Sequence, residues 1–167
     1  MENILIFLGL VILIALPIII GRQVQKKKVR QKIEEVSAVA RQNGSALGQH
    51  EIEYKILIGL SEDGSRVYYY PFKHKDKTIE TIPLEGIKNC KVNIEGHAAN
   101  YGGESRQVTD KIELLFMPRE KLGQPLSLRL YDSDQDGLQL TGQQALSERW
   151  AGFINQALTK NPKSMAV

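Results

Sequence analysis

The sequence holds one cysteine, one tryptophan and three histidines in 167 residues, and each scarcity excludes something. With Cys90 alone, no internal disulfide can form, and a reducing compartment suits the chain. Cys90 lies in KNCKVNIE, where Cys90, Val92 and Ile94 alternate with Lys91, Asn93 and Glu95. That alternation predicts a thiol packed in the core as a small hydrophobe, not a nucleophile. His50, His74 and His97 stand singly in segments read as loops, with no i, i+4 partner for a metal. LGLSEDG is no nucleophile elbow, because its second glycine comes one residue too late. AANYGGESRQ has glycines but no lysine followed by serine or threonine to cradle a phosphate. Glu51 and Glu53 form a carboxylate pair, but on the solvent face of a strand. Without converging reactive groups the chain is read as non-enzymatic, a hydrolase being the enzymatic alternative.

Net charge is scarce outside one segment. The chain carries a formal +3, yet Arg22, Lys26, Lys27, Lys28, Arg30 and Lys32 put six bases into eleven residues with no acid among them. Residues 33–167 hold sixteen bases and eighteen acids. A nucleic-acid binder spreads base over a domain face with interleaved aromatics, so nucleic acid is not an expected partner.

Residues 4–20, ILIFLGLVILIALPIII, run without a charge or a strongly polar side chain. As a helix rising ~1.5 Å per residue they would cover roughly 26 Å, near the thickness of a thin hydrocarbon core. A cleaved signal peptide is the alternative, but no basic residue precedes the run and no small-x-small site follows it. The expectation is a transmembrane anchor over 1–21. The bases that follow it place the domain inside by the positive-inside rule, as a single-pass protein of a bacterial inner membrane. The six bases are then expected to touch anionic headgroups, with the bilayer as a partner.

Residues 22–48 read as a basic helical stalk ending at Asn43-Gly44, a helix C-cap. Val29, Ile33, Val36 and Ala40 form a narrow apolar stripe. It either pairs two chains as a short coiled coil, giving a homodimer, or leans on the chain's own domain.

From residue 51 the pattern alternates. EIEYKILIGL, RVYYYPF, TIETIPL, KNCKVNIE, KIELLFMP, LSLRLY and LQL read as seven short strands with turn signals between them. TGQQALSERWAGFINQALTK then makes an amphipathic helix whose apolar face carries Leu146, Trp150, Phe153, Ile154 and Ala157. The fold class expected is α+β, mostly β: an N-terminal transmembrane helix and stalk, then a seven-strand antiparallel barrel or sandwich with a C-terminal capping helix. This element order, with Trp150 inward, resembles the pleckstrin-homology-like barrel over 51–160, leaving 161–167 as a tail. The resemblance implies an open end that binds headgroups, peptides or proteins. Phosphoinositide binders of that kind carry clustered bases on the first strand pair, where this chain has SEDGSR with Glu62 and Asp63.

Three loops fall at one end if every strand crosses once: 73–77, 95–110 and 132–137. EGHAANYGGESRQVTD is longer than a hairpin needs, with Tyr101 as a candidate partner contact. KHKDK offers Lys73, Lys75 and Lys77, either as partner contacts or to offset the aspartates across the rim. YDSDQDGLQL spaces Asp132, Asp134 and Asp136 like the first ligands of a calcium loop, with Gly137 at the turn. The closing bidentate glutamate is missing, since Gln143 stands there, and the segment is read chiefly as an acidic turn. Calcium is the one cofactor the sequence suggests. The functional expectation is a membrane-tethered, non-catalytic interaction or scaffold module for a protein partner. The alternative is a small-ligand or calcium sensor using those rim loops.

Overall fold

The computed structural model describes residues 23–72, 78–101, 104–120, 123–137 and 139–160. Helix α1 (23–42) ends at Asn43-Gly44, where Gly44 takes φ +79°. Seven strands follow among the described residues: β1 (Leu47–Glu53), β2 (Ile56–Ser61), β3 (Arg66–Tyr70), β4 (Glu80–Pro83), β5 (Ile87–Tyr101), β6 (Glu104–Pro118) and β7 (Leu126–Asp132). A single helical turn α2 (Ser133–Asp136) and the helix α3 (Gln143–Lys160) complete the chain. Strands β1 to β4 make one antiparallel meander and β5 to β7 another.

The expected barrel is therefore corrected to two separate sheets of four and three strands, with no closed barrel. The transmembrane helix is corrected as well. Among the described residues no helix is long and apolar enough to cross a membrane. The single-pass, inner-membrane localisation loses its structural support with it; residues 4–20, on which it rests, lie outside the described residues. Within the described part the physical reason is plain: α1 opens on polar and basic residues, and α3 is apolar on one face only.

Two strand assignments also change. EIEYKILIGL is not one strand but a hairpin turning at Tyr54 and Lys55, both left-handed at φ +50° and +58°. Two left-handed residues in a two-residue loop are the hairpin geometry that Asn-Gly usually signals, so the sequence conceals it. Tyr54 compensates by packing its ring on the main core and donating its hydroxyl to Thr141 O at 2.8 Å. LQL is not a strand: Gln139 and Leu140 are irregular, and Leu138 lies outside the described residues.

The main core lies between the sheets and α3. Ile56, Ile58 and Leu60 of β2 meet Leu114 and Phe116 of β6, Leu128 and Leu130 of β7, and Leu146, Trp150 and Ile154 of α3. The other face of the first sheet makes a second core, where Leu57, Tyr68 and Tyr70 pack against Val36 and Ala40 of α1, with Ile33 beside them. Alternate residues of β2 thus enter two cores, which is why its six residues are all buried. The stripe on α1 leans on its own domain through Ile33, Val36 and Ala40, and leaves Val29 exposed.

Helix α3 closes the space between the sheets and is held by polar clips at both flanks. Trp150 is fully buried, and its Nε1 donates to Glu51 Oε2 at 2.9 Å. Arg149 grips the same carboxylate, Nη2 to Oε1, at 2.6 Å. On the opposite sheet the Asn155 amide accepts from Cys90 N at 2.8 Å and donates to Cys90 O at 2.9 Å. β5 is an edge strand, so this amide takes the place of a neighbouring strand. Replacing Asn155 by Leu strands both backbone groups. We expect a loss of about 2–3 kcal/mol, read from urea unfolding, with the slope unchanged.

Candidate functional site

The segment expected as a long loop, 95–110, is an extended ribbon. β5 and β6 are fifteen residues each, but β7 pairs with β6 only between Lys111 and Phe116. Beyond that point Gly96–Tyr101 and Glu104–Thr109 pair with each other alone. At ~3.4 Å per residue these rungs carry the ribbon about 20 Å past the three-stranded part. A bulge at its root, between Glu95 and Gly96, leaves Asp110 unmatched, and Asp110 receives His97 Nδ1 at 2.8 Å. Gly96 is required there, because a Cβ would collide with the backbone of Val108.

The register sorts the ribbon into two unlike faces. His97 and Val108 are opposite each other, as are Ala99 and Arg106. The other face continues the direction of the core and holds Gly96, Ala98, Asn100, Ser105, Gln107 and Thr109, none of them charged. Where the strands leave the core, large apolar residues give way to small neutral ones. Both backbone edges of the ribbon lack a third strand among the described residues. Tyr101 closes the ladder opposite Glu104; its side chain lies outside the described residues.

The aspartate segment is a capped turn. Asp132 is 8 % exposed and caps α2, its Oδ1 accepting from Asp134 N at 3.1 Å. Its Oδ2 faces Arg129 Nη1 at 2.8 Å. Asp136 turns back to accept from Asp132 N at 2.9 Å, while Asp134 is exposed. Two of the three carboxylates thus spend their acceptors on the chain itself. Among the described residues no group of three His, Cys, Asp or Glu side chains is placed to hold a metal ion. Lys73, Lys75 and Lys77 lie outside the described residues, and Arg129 is the cation that meets Asp132.

The basic segment divides. Arg22 lies outside the described residues; Lys26, Lys27, Lys28 and Arg30 are exposed on the first turns of α1. Lys32 belongs to the domain, donating to Glu35 at 2.8 Å and to Tyr70 Oη at 3.0 Å. The Glu35 bond raises the Lys32 ammonium above its ordinary value, and the same bond holds Glu35 below its own.

An open groove of about 450 Å³ lies between α3 and the first sheet, with Leu60, Phe153 and Asp63 among its lining residues. Burial works against ionisation of Asp63, but hydrogen bonds from Ser61, Ser65 and Ser45 hold its carboxyl down to about 2. His97 and Asp110 are the His–acid pair that the sequence scatters thirteen residues apart. No hydrogen bond joins them to a serine or cysteine among the described residues. Compared with family models, curated proteins and solved structures, the chain matches none.

Two outcomes follow from these environments. Calcium is expected to leave the melting temperature unchanged from that in chelator, whereas Asp132→Ala lowers stability by about 1 kcal/mol through loss of the cap. Burial pushes the Cys90 thiol up to about 12, so an alkylating reagent at neutral pH should label Cys90 only as fast as the protein unfolds.

Proposed function

We propose that the chain is a non-catalytic protein-interaction module, and that the β5–β6 ribbon is the part that meets the partner. The observation that carries this reading is the ribbon itself: six paired rungs extend beyond the third strand and contribute nothing to either core. A two-stranded ribbon standing free of a core is marginal in water, so folding alone gives no reason to build one. Its open edges offer unpaired N–H and C=O groups at strand spacing, the feature by which an extended segment of another protein adds to a sheet. The neutral face of Gly96, Ala98, Asn100, Ser105, Gln107 and Thr109 brings no charge that would have to be desolvated in such a contact.

The pleckstrin-homology-like resemblance belongs to the same proposal. It supplies a rigid framework and leaves the ligand to be argued from the site. In this reading the sheets and α3 are the framework, and the ribbon gives the contact.

The test replaces residues 96–109 with a two-residue turn joining Glu95 to Asp110. Melting is expected to be unchanged, because no core residue is removed. A photo-crosslinker at Ala98 or Asn100 of the intact chain should capture one defined partner in cells, and one at the exposed Glu148 should not. A second copy of the chain as the captured species would identify self-association. If the shortened chain keeps every partner of the intact one, the ribbon is not the recognition element.

A further inference from the structure

The outer face of the second sheet carries a hollow of about 280 Å³, far along β5 from the ribbon tip. Lys88, Asn89 and Lys91 of β5 line it, together with Arg119 and Glu120 just beyond β6 and Gly123 of the following loop. Neighbours in a regular strand point to opposite faces, so Lys88 and Asn89 would not normally share one cavity. They do so because the ladder shifts between Ile87 and Asn89, which leaves Lys88 out of register. The bulge thereby gathers charge that a straight strand would divide.

None of the three cationic side chains has a hydrogen bond or an ion pair to another described residue. Asn89, half-buried, lines the hollow beside them. Gly123 N donates to Glu120 O at 3.1 Å, and a Cβ on Gly123 would stand 2.8 Å from the Pro118 ring. Arg119 N is fixed to Gly86 O at 2.8 Å.

We propose that this hollow binds a phosphate dianion, either free or as a monoester. Three cations against the single carboxylate of Glu120 leave two positive charges in excess, which matches a monoester phosphate at neutral pH. Arg119 supplies a planar fork of donors and the lysines supply point charges, the mixture that holds a phosphate's three oxygens. The site is separate from the ribbon and stands or falls without it. A phosphorylated side chain of a partner protein and a free phosphate share this chemistry.

The experiment titrates inorganic phosphate, and separately phosphoserine, into the full chain while backbone amide resonances are followed. Saturable shifts are expected at Lys88–Lys91, Arg119 and Gly123, and not in the ribbon. Lys91→Gln with Arg119→Gln should weaken binding by at least about tenfold and flatten its salt dependence, with melting unchanged because both side chains are unpaired. Asn89→Asp, which sets a carboxylate in the hollow, should abolish it. Tighter binding of phosphoserine than of inorganic phosphate assigns the source to a modified protein, and the reverse order assigns it to the free ion. Shifts that never saturate, or an affinity unchanged in the double variant, overturn the site.

Discussion

The bond from the Trp150 indole to Glu51 is the contact on which the rest of this molecule depends. Two sheets that do not close into a barrel leave a gap between them, and Trp150 fills it with no exposed surface. An indole so placed must still satisfy its N–H, since a buried donor without a partner costs as much as the burial of several methylenes returns. Glu51 satisfies it from the edge strand β1, and Arg149 neutralises the carboxylate that does so. Glu51 therefore fixes the depth and the rotation of α3 together. Asn155 fixes the other flank by standing in for a strand beside Cys90. One helix thus joins two sheets that do not otherwise share a ladder.

That arrangement explains where the exposed features lie. With β5 tied down at Cys90 and β6 flanked by β7 only from Lys111 to Phe116, the remaining rungs of the hairpin have no core to rest on. They persist as a ribbon because cross-strand pairs and the His97–Asp110 contact hold the root. The bulge at Lys88 is the second consequence of a long edge strand. Bulges bend and twist an edge away from unwanted pairing, and here the bend also gathers cations around one hollow. Register shifts at Ile87/Asn89 and at Glu95/Gly96 thus bracket the stretch of β5 that is packed against α3.

Much of the fold was legible in the sequence. Period-two runs marked most of the strands, and Leu146, Trp150 and Ile154 marked the buried face of α3. Cys90 was placed in the core by its alternation with Lys91. Where reading failed, the local signal was absent or shared. Tyr54-Lys55 carries none of the residues that announce a hairpin, so its left-handed turn is held by Thr141, eighty-seven residues away, through Tyr54 Oη. The polar residues of 95–110 look like a loop because their two faces meet no core, although their backbone is paired throughout the described rungs. DSDQDG looks like the opening of a calcium loop because aspartates that cap a helical turn and aspartates that bind calcium use the same spacing.

By itself the sequence determined the strand periodicity, the apolar stripe of α1 and the amphipathic C-terminal helix. These are properties of neighbours along the chain, and local sterics with hydrophobic burial suffice to set them. Only the tertiary structure decided which groups meet: Glu51 with Trp150, His97 with Asp110, Lys32 with Tyr70, and Lys88 and Lys91 with Arg119. Those meetings depend on register, on bulges and on which sheet each strand joins. Each is set by the sum of many distant contacts, so no short stretch of residues records it.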